Sequence, residues 1–430
     1  VLGSLTEAVK AQSSVDAEWS RLKKIFASPQ LQMVSFTITE KGYALRDAKG
    51  EYFPFIRSDI DNGPDKASSA MAVVSALLYE RFNTCKAPLA VVSMDNCSHN
   101  GEKLRNSITD MVGEWQKKGF VSEDFVQYVN DENTISFPWS MIDKITPRPA
   151  DTVAESLKEA GVEDMDPVIT SKRTYIAPFV NAEGPQYLVI EDRFPNGRPQ
   201  LEKAGVYMTD RDTVNKVERM KVTTCLNPLH TALAVYGCVL GYDLIADEMK
   251  DKELSELVKR IGLVEGMPVV TNPGIIDPEK FADEVINVRI PNPFMPDTPQ
   301  RIATDTSQKV GIRYGETIKS YVAKDGSARA LTAIPLAIAG WGRDLLGIDD
   351  NGEAFELSPD PMADELKCQL DGIVWGESSS YTGQLKNLLS NANIFGINLY
   401  EAGIGDKIEE MFVEEISGKG AIRETLKKYL

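Results

Sequence analysis

Apolar and polar positions change their period along this chain. Two short runs, MVSFTI (33–38) and LAVVSM (89–94), are dense in β-branched and apolar residues and bounded by turn formers, the pattern of strands buried on both faces. Between them, Ser68 to Phe82 is apolar-rich and long enough for a helix. From Gly101 to Lys118 the apolar residues Leu104, Ile108, Met111, Val112 and Trp115 recur at helical spacing, and a strand-like stretch follows at Thr134 to Phe137. The order β-α-β-α-β implies parallel strands joined by right-handed crossovers. Ligands of such sheets bind beyond the carboxyl ends of the strands, which directs attention to the loops 39–43, 95–101 and 138–147.

Further on the period becomes helical. Residues 151–199 read as a mixed connector with one strand-like run, YLVI (187–190), and a turn-rich stretch after it. Periodic apolar segments at 213–249, 252–262, 279–288, 328–346, 362–370, 382–391 and 407–429 then predict helices, interrupted by one strand-like run at 372–375. The expected fold class is α/β: a Rossmann-type nucleotide-binding domain followed by a mostly α-helical domain. The expected division is 1–210 for the remainder of the nucleotide-binding domain and 211–430 for the helical substrate and catalytic domain. A glycine-rich phosphate turn is missing. Gly340-Trp341-Gly342 and Gly403-Ile404-Gly405 lack a third glycine and a preceding strand, so they read as turns and helix packing. The chain also opens without Met on residues that resemble a domain interior, so the expectation is a sequence that starts late and lacks the first half of its Rossmann domain.

Composition narrows the function classes. A hydrophobic share of 42% and a charged share of 26% are those of a globular protein able to bury large cores, and 430 residues exceed one ordinary core. A net charge of −17 argues against a nucleic-acid partner, because phosphate-backbone binders carry net-basic faces. No apolar run reaches the ~18–20 residues of a membrane span, and no signal peptide is evident. Five scattered cysteines without a C-x-x-C pair, and two histidines in all, give neither a disulfide framework nor a zinc site. A reducing cytoplasm fits. Oligomeric state is not legible, and a monomer is compatible with everything above.

One stretch concentrates chemistry: MKVTTCLNPLH (220–230) carries Lys221, Asn227 and one of the two histidines, His230. At roughly 100° per residue, Asn227 and His230 share a helix face, whereas Lys221, nine residues before His230, points about 180° away. One extra residue taken up as a π-bulge would rotate Lys221 back by about 100°, and Pro228 already removes one hydrogen bond from that turn. Either the helix is distorted there or Lys221 does not belong to the site.

With these residues in view, the chain resembles the polyol-specific long-chain dehydrogenase/reductase family, which includes mannitol 2-dehydrogenases, fructuronate reductases (mannonate oxidoreductases) and tagaturonate reductases. The resemblance is carried by VSFTITEKGY (34–43), VSMDNCSHNG (92–101), SFPWSMIDKITP (136–147), VIEDRFPNGRP (189–199), MKVTTCLNPLH (220–230), TSQK (306–309) and AGWG (339–342). It implies an NAD(H)-dependent interconversion of a secondary alcohol and a ketone on a sugar acid or polyol, without a metal and with NADP(H) not excluded. Fructuronate reductase is the foremost expectation, with mannitol 2-dehydrogenase or tagaturonate reductase as alternatives.

The resemblance also implies roles. Lys221 is the general acid/base, Asn96 and Asn227 hold the developing alkoxide, and His230 orients the reactive hydroxyl. Glu218 is a proton-relay candidate, Arg301 and Lys309 grip substrate, and Thr39, Glu40, Asp95, Asn96 and Ile142 contact the cofactor. The chemistry is coherent: fixed donors stabilise an oxyanion, and a lysine serves as base once desolvation lowers its pKa. The chain departs from the family in spacing Lys221 and Asn227 one residue further apart and in lacking the glycine-rich turn. A reading of another class is therefore a non-catalytic sugar-acid-binding homologue without its cofactor half.

Overall fold

The computed structural model describes residues 4–430 apart from Ala48, Arg148 and Lys172. It divides into two compact units, one of residues 1–143 and 186–215, the other of residues 144–185 and 216–430. The second crossing of the chain falls close to the expected division at 210/211. Residues 144–185, however, group with the helical unit rather than with the nucleotide-binding part.

In the first unit, β1 (Met33–Phe36) pairs in parallel with β2 (Leu89–Ser93), and β2 in parallel with β3 (Ile135–Ser136), giving the order β1-β2-β3. All five residues of β2 are buried, as its unbroken apolar run required of a central strand. Helices Ala70–Thr84 and Asn100–Lys117 form the crossovers. The second buries Leu104, Ile108, Met111, Val112 and Trp115, and the Trp115 indole N–H finds a buried partner in the Asp59 carbonyl at 3.0 Å. The remaining strands are β4 (Ser140–Asp143), the hairpin strands β5 (Val168–Ile169) and β6 (Tyr175–Ile176), β7 (Tyr187–Glu191) and β8 (Tyr207–Thr209). β7 pairs antiparallel with β4 and parallel with β8 in a second small sheet, and the β5–β6 hairpin lies in the helical unit.

The helical unit is centred on Asn227–Leu240, buried along nearly its whole length and closed at Gly241, φ +74°. The expected helix 213–249 is broken into Arg211–Met220, a π turn Lys221–Cys225, Asn227–Leu240 and Ile245–Glu248. The expected helix 407–429 is two, Gly405–Glu415 and Ala421–Tyr429, because Gly418 and Gly420 sit at φ +134° and +79° between them. The run 372–375 is a turn rather than a strand; Gly372 and Gly376, φ +89° and +88°, fold it back on itself. Gly340, on helix Ala333–Asp344, lets the Tyr236 ring approach so closely that a Cβ there would meet it at 2.6 Å. Helix packing is therefore what this glycine serves.

That contact places a buried proton. The Tyr236 oxygen lies 2.8 Å from the Leu336 carbonyl and 2.6 Å from Glu415 Oε1, and one hydroxyl proton serves only one acceptor. A neutral Glu415 carboxyl donating to the Tyr236 oxygen satisfies both contacts, and burial pushes its pKa up to about 8. Between the ordinary carboxylate range and that value the folded chain holds a proton that the unfolded chain has lost, so stability falls as pH rises. Glu248 and Asp344, raised by burial to about 10 and about 7, act in the same direction. Urea midpoints are expected to decline from pH 5 to pH 8, and Glu415→Gln to make the decline shallower by about one proton. An unaltered slope in the variant would remove Glu415 from this role.

Candidate active site

The stretch 220–230 is distorted between Lys221 and Asn227. Residues Lys221–Cys225 form a π turn in which the Leu226 N–H donates to the Lys221 carbonyl, five residues back, at 3.1 Å. Pro228 offers no N–H to the Thr224 carbonyl, so the regular ladder is interrupted there and resumes with His230 N–H to Leu226 O at 3.2 Å. Side chains from one later helical segment take the exposed carbonyls: the Thr317 hydroxyl donates to Thr223 O at 3.2 Å and the Tyr314 hydroxyl to Pro228 O at 3.0 Å. Gly266 lets its backbone press against Thr224, where a Cβ would meet the methyl at 2.7 Å. The added residue turns Lys221 by about 100° toward His230, from about 180° to about 80° away around the helix. Lys221 is buried, with 2% of its surface exposed, while Asn227 and His230 are half-buried. Glu218 lies half-buried one turn before the lysine.

His230 lines a cavity of about 460 Å³ within the helical unit, together with Ile145, Pro147, Arg289, Met295, Asp297 and Arg301. Its wall is braced by a buried ion pair. Arg289 Nε and Nη2 donate to the two Glu183 oxygens at 2.9 and 2.8 Å, with side chains 1% and 0% exposed. Glu183 Oε1 also accepts the Ile145 N–H at 2.7 Å, and the Lys144 ammonium donates to the Glu183 carbonyl at 2.8 Å. Arg289 ends another π turn, Val285–Arg289.

Of the two cations expected to hold substrate, Arg301 reaches this cavity and lends its Nε and Nη2 to Asp297, one helical turn earlier. Lys309 does not line the cavity. It is half-buried, donates to the Thr304 carbonyl, and has its pKa lowered by burial first and by the charges of Arg313 and Arg301 after that. Sequence reasoning missed Arg289, Glu183 and Asp297. The Asp297–Arg301 spacing of i, i+4 was a usable signal, whereas Glu183 and Arg289 stand 106 residues apart with nothing local to join them.

In the first unit, Asp95 follows β2, and its carboxylate is committed within the fold. It accepts the N–H groups of Ile38 and Thr39 at 3.0 and 2.8 Å and the Tyr43 hydroxyl, tying together the ends of β1 and β2. Thr39 is held at φ +65° by this arrangement. Asn96 is exposed beside it, Glu40 pairs with Lys103, and Ile142 is half-buried in β4 opposite Leu188. Among the described residues no group of three or more His, Cys, Asp and Glu could hold a metal ion, and no helix is long and apolar enough to cross a membrane.

A parallel-stranded α/β unit is joined in one chain to a helical unit that carries a buried lysine six residues before Asn227 and nine before His230. The mannitol dehydrogenase Rossmann-domain model matches residues 4–203 and the mannitol dehydrogenase C-terminal-domain model residues 213–415. The chain belongs to the mannitol dehydrogenase family and is an oxidoreductase acting on CH–OH groups.

The chain is 54% identical over 431 residues to D-mannonate oxidoreductase of Thermotoga maritima, covering all of this chain and 79% of that protein. It is 30% identical over 362 residues to polyol:NADP oxidoreductase of Gluconobacter oxydans, covering 83% of this chain and 68% of the relative. Among solved structures it is similar to Pseudomonas fluorescens mannitol 2-dehydrogenase in ternary complex with NAD and D-mannitol, with TM-score 0.66, 25% identity, and coverage of 99% and 79% of the two chains. The expectation that the first half of the Rossmann domain is missing is corrected by the domain match, which begins at residue 4. That expectation leaned on the glycine-rich turn as the marker of the domain. The helix Asp16–Phe26 and the parallel strands after it carry the domain's pattern without that motif.

Proposed function

We propose that this chain interconverts a secondary alcohol and a ketone of a sugar acid with NAD(H), its substrates being fructuronate and D-mannonate, and that Lys221 is the general acid/base. The observation that supports the reading is the π turn, which interrupts the helix at a buried lysine shortly before Asn227 and His230. In the oxidative direction the Lys221 amine accepts the hydroxyl proton, the Asn227 amide donates to the oxygen as negative charge grows on it, and His230 holds the hydroxyl in place. Each well-placed oxyanion donor lowers the barrier by about 3 kcal/mol, and burial keeps competing water from the amine. Asn96 is assigned as the second carboxamide and Glu218 as the relay that returns the lysine's proton to solvent.

The residues of the first unit fit a dinucleotide at the carboxyl ends of β1 and β2. Thr39, Glu40 and Asn96 would contact it, Asp95 would shape the loop that presents them, and Ile142 would offer an apolar surface. Bound NAD(H) supplies the hydride acceptor or donor. Similarity to a D-mannonate oxidoreductase supports a sugar acid over a neutral polyol, as do Arg301 on the cavity wall and Lys309 nearby. Five free cysteines support a cytoplasmic location, and a single chain is sufficient, because Lys221, Asn227 and His230 lie on one segment. The test is NADH consumption with fructuronate, tagaturonate and fructose as acceptors. Fructuronate is expected to give the highest kcat/KM. A preference for fructose would sink the sugar-acid assignment, and failure to bind NADH in titration would overturn the dehydrogenase reading for this chain.

A further inference from the structure

Asp297 lines the same cavity as His230 and Arg301 and has no part in the reaction described above. Its position is fixed from several sides. Its N–H donates to the Met295 carbonyl at 2.7 Å, and its own carbonyl accepts the N–H of Ile245, another residue of the cavity wall, at 3.0 Å. Its Oδ1 accepts the N–H of Thr298 at 3.1 Å. Thr298 in turn caps the short helix Pro299–Ile302, its hydroxyl oxygen accepting the Arg301 N–H at 3.3 Å. Backbone and carboxylate of Asp297 are thus both tied to the wall segment that carries Arg301.

On this post the Arg301 guanidinium is held by one edge. Nε donates to Asp297 Oδ1 at 2.5 Å and Nη2 donates to Oδ2, a fork on a carboxylate. The Arg301 side chain is 68% exposed and that of Asp297 15%, so a long, solvated side chain is held by a largely covered one. An exposed pair at i, i+4 contributes little to stability. What the fork does fix is direction. A guanidinium has five N–H donors; one on Nε and one on Nη2 go to Asp297, and the other three lie at the Nη1–Nη2 end. That end offers two parallel N–H groups, the geometry that receives a second carboxylate.

We propose that Asp297 is a positioning residue for substrate recognition: it occupies the Nε–Nη2 edge of Arg301 so that the Nη1–Nη2 end is presented to the carboxylate of the sugar acid. This rests on the sugar-acid reading given above. A side chain already held in its binding geometry need not be ordered when substrate arrives, which is worth up to about tenfold in affinity. The test is a double-variant cycle on kcat/KM for fructuronate, with wild type, Asp297→Asn, Arg301→Met and the two combined. Asp297→Asn keeps an acceptor for the Thr298 N–H and loses the fork, and is expected to raise KM about five- to tenfold with kcat within about twofold of wild type. Arg301→Met is expected to raise KM by about a hundredfold. The combined variant is expected to match Arg301→Met within about twofold, because Asp297 acts only through the guanidinium. Asp297→Glu, which restores the carboxylate, is expected to recover part of the affinity lost in Asp297→Asn, and it takes the place of that variant in the cycle if Asp297→Asn fails to fold. A wild type without activity on any keto-sugar acid would defeat the sugar-acid reading. A wild type that reduces fructuronate, with an unchanged KM in Asp297→Asn or Arg301→Met, or with losses that add in full in the combined variant, would defeat the positioning role of Asp297 alone.

Discussion

Replacing Lys221 by alanine is expected to lower kcat by about three orders of magnitude, with the NADH dissociation constant changed by less than about threefold. The size follows from the role. A positioned acid/base acts in the transition state, so its removal is felt in turnover rather than in cofactor binding. Because Lys221 is buried, alanine also leaves a cavity. Lys221→Met keeps the volume, and the same loss of turnover in a variant with near-native Tm separates lost chemistry from lost packing. Small amines added to the alanine variant are expected to restore part of the rate. Near-normal turnover in either variant would remove Lys221 from the mechanism and leave the π turn as a packing feature.

Glu183→Ala is expected to destabilise the helical unit by about 3–5 kcal/mol, read as a shift of the urea midpoint. The substitution removes the carboxylate that accepts from two Arg289 nitrogens and from the Ile145 N–H. A buried charge without its partner is costly, whereas replacing both members by apolar groups is much less so. Glu183→Leu combined with Arg289→Met is therefore expected to recover most of the loss. Because the pair braces the loop that forms one cavity wall, KM for fructuronate is expected to rise in Glu183→Ala even where the protein remains folded. A loss below about 1 kcal/mol, or a double variant as unstable as the single, would show that the pair does not hold this wall.

The pair also shows what ties segment 144–185 to the helical unit, although the Rossmann-domain match runs through it to residue 203. Its apolar pattern is weak, and its allegiance is set by Glu183 meeting Arg289, a residue more than a hundred positions later. The parallel strands of the first unit were legible because burial on both faces imposes an apolar run that no other element needs. The broken helices at 241 and 416–420 were less so, since glycines with positive φ end a helix without disturbing the apolar period around them.

Lys221, Asn227 and His230 were visible together in the sequence, and helical geometry left either a lysine outside the site or a distortion between them. The structure supplies it as a π turn held by Thr317, Tyr314 and Gly266, residues from distant segments.

By itself, then, the sequence determined the layering of strands and helices and the residue types of the candidate cluster, since both depend on local period and local spacing. The tertiary structure alone decided which cations are neutralised and by which partners, as Arg289 is by Glu183. Pairing is set by where distant chain segments cross, and burial, which gives an unmatched charge its consequence, exists only once they have crossed.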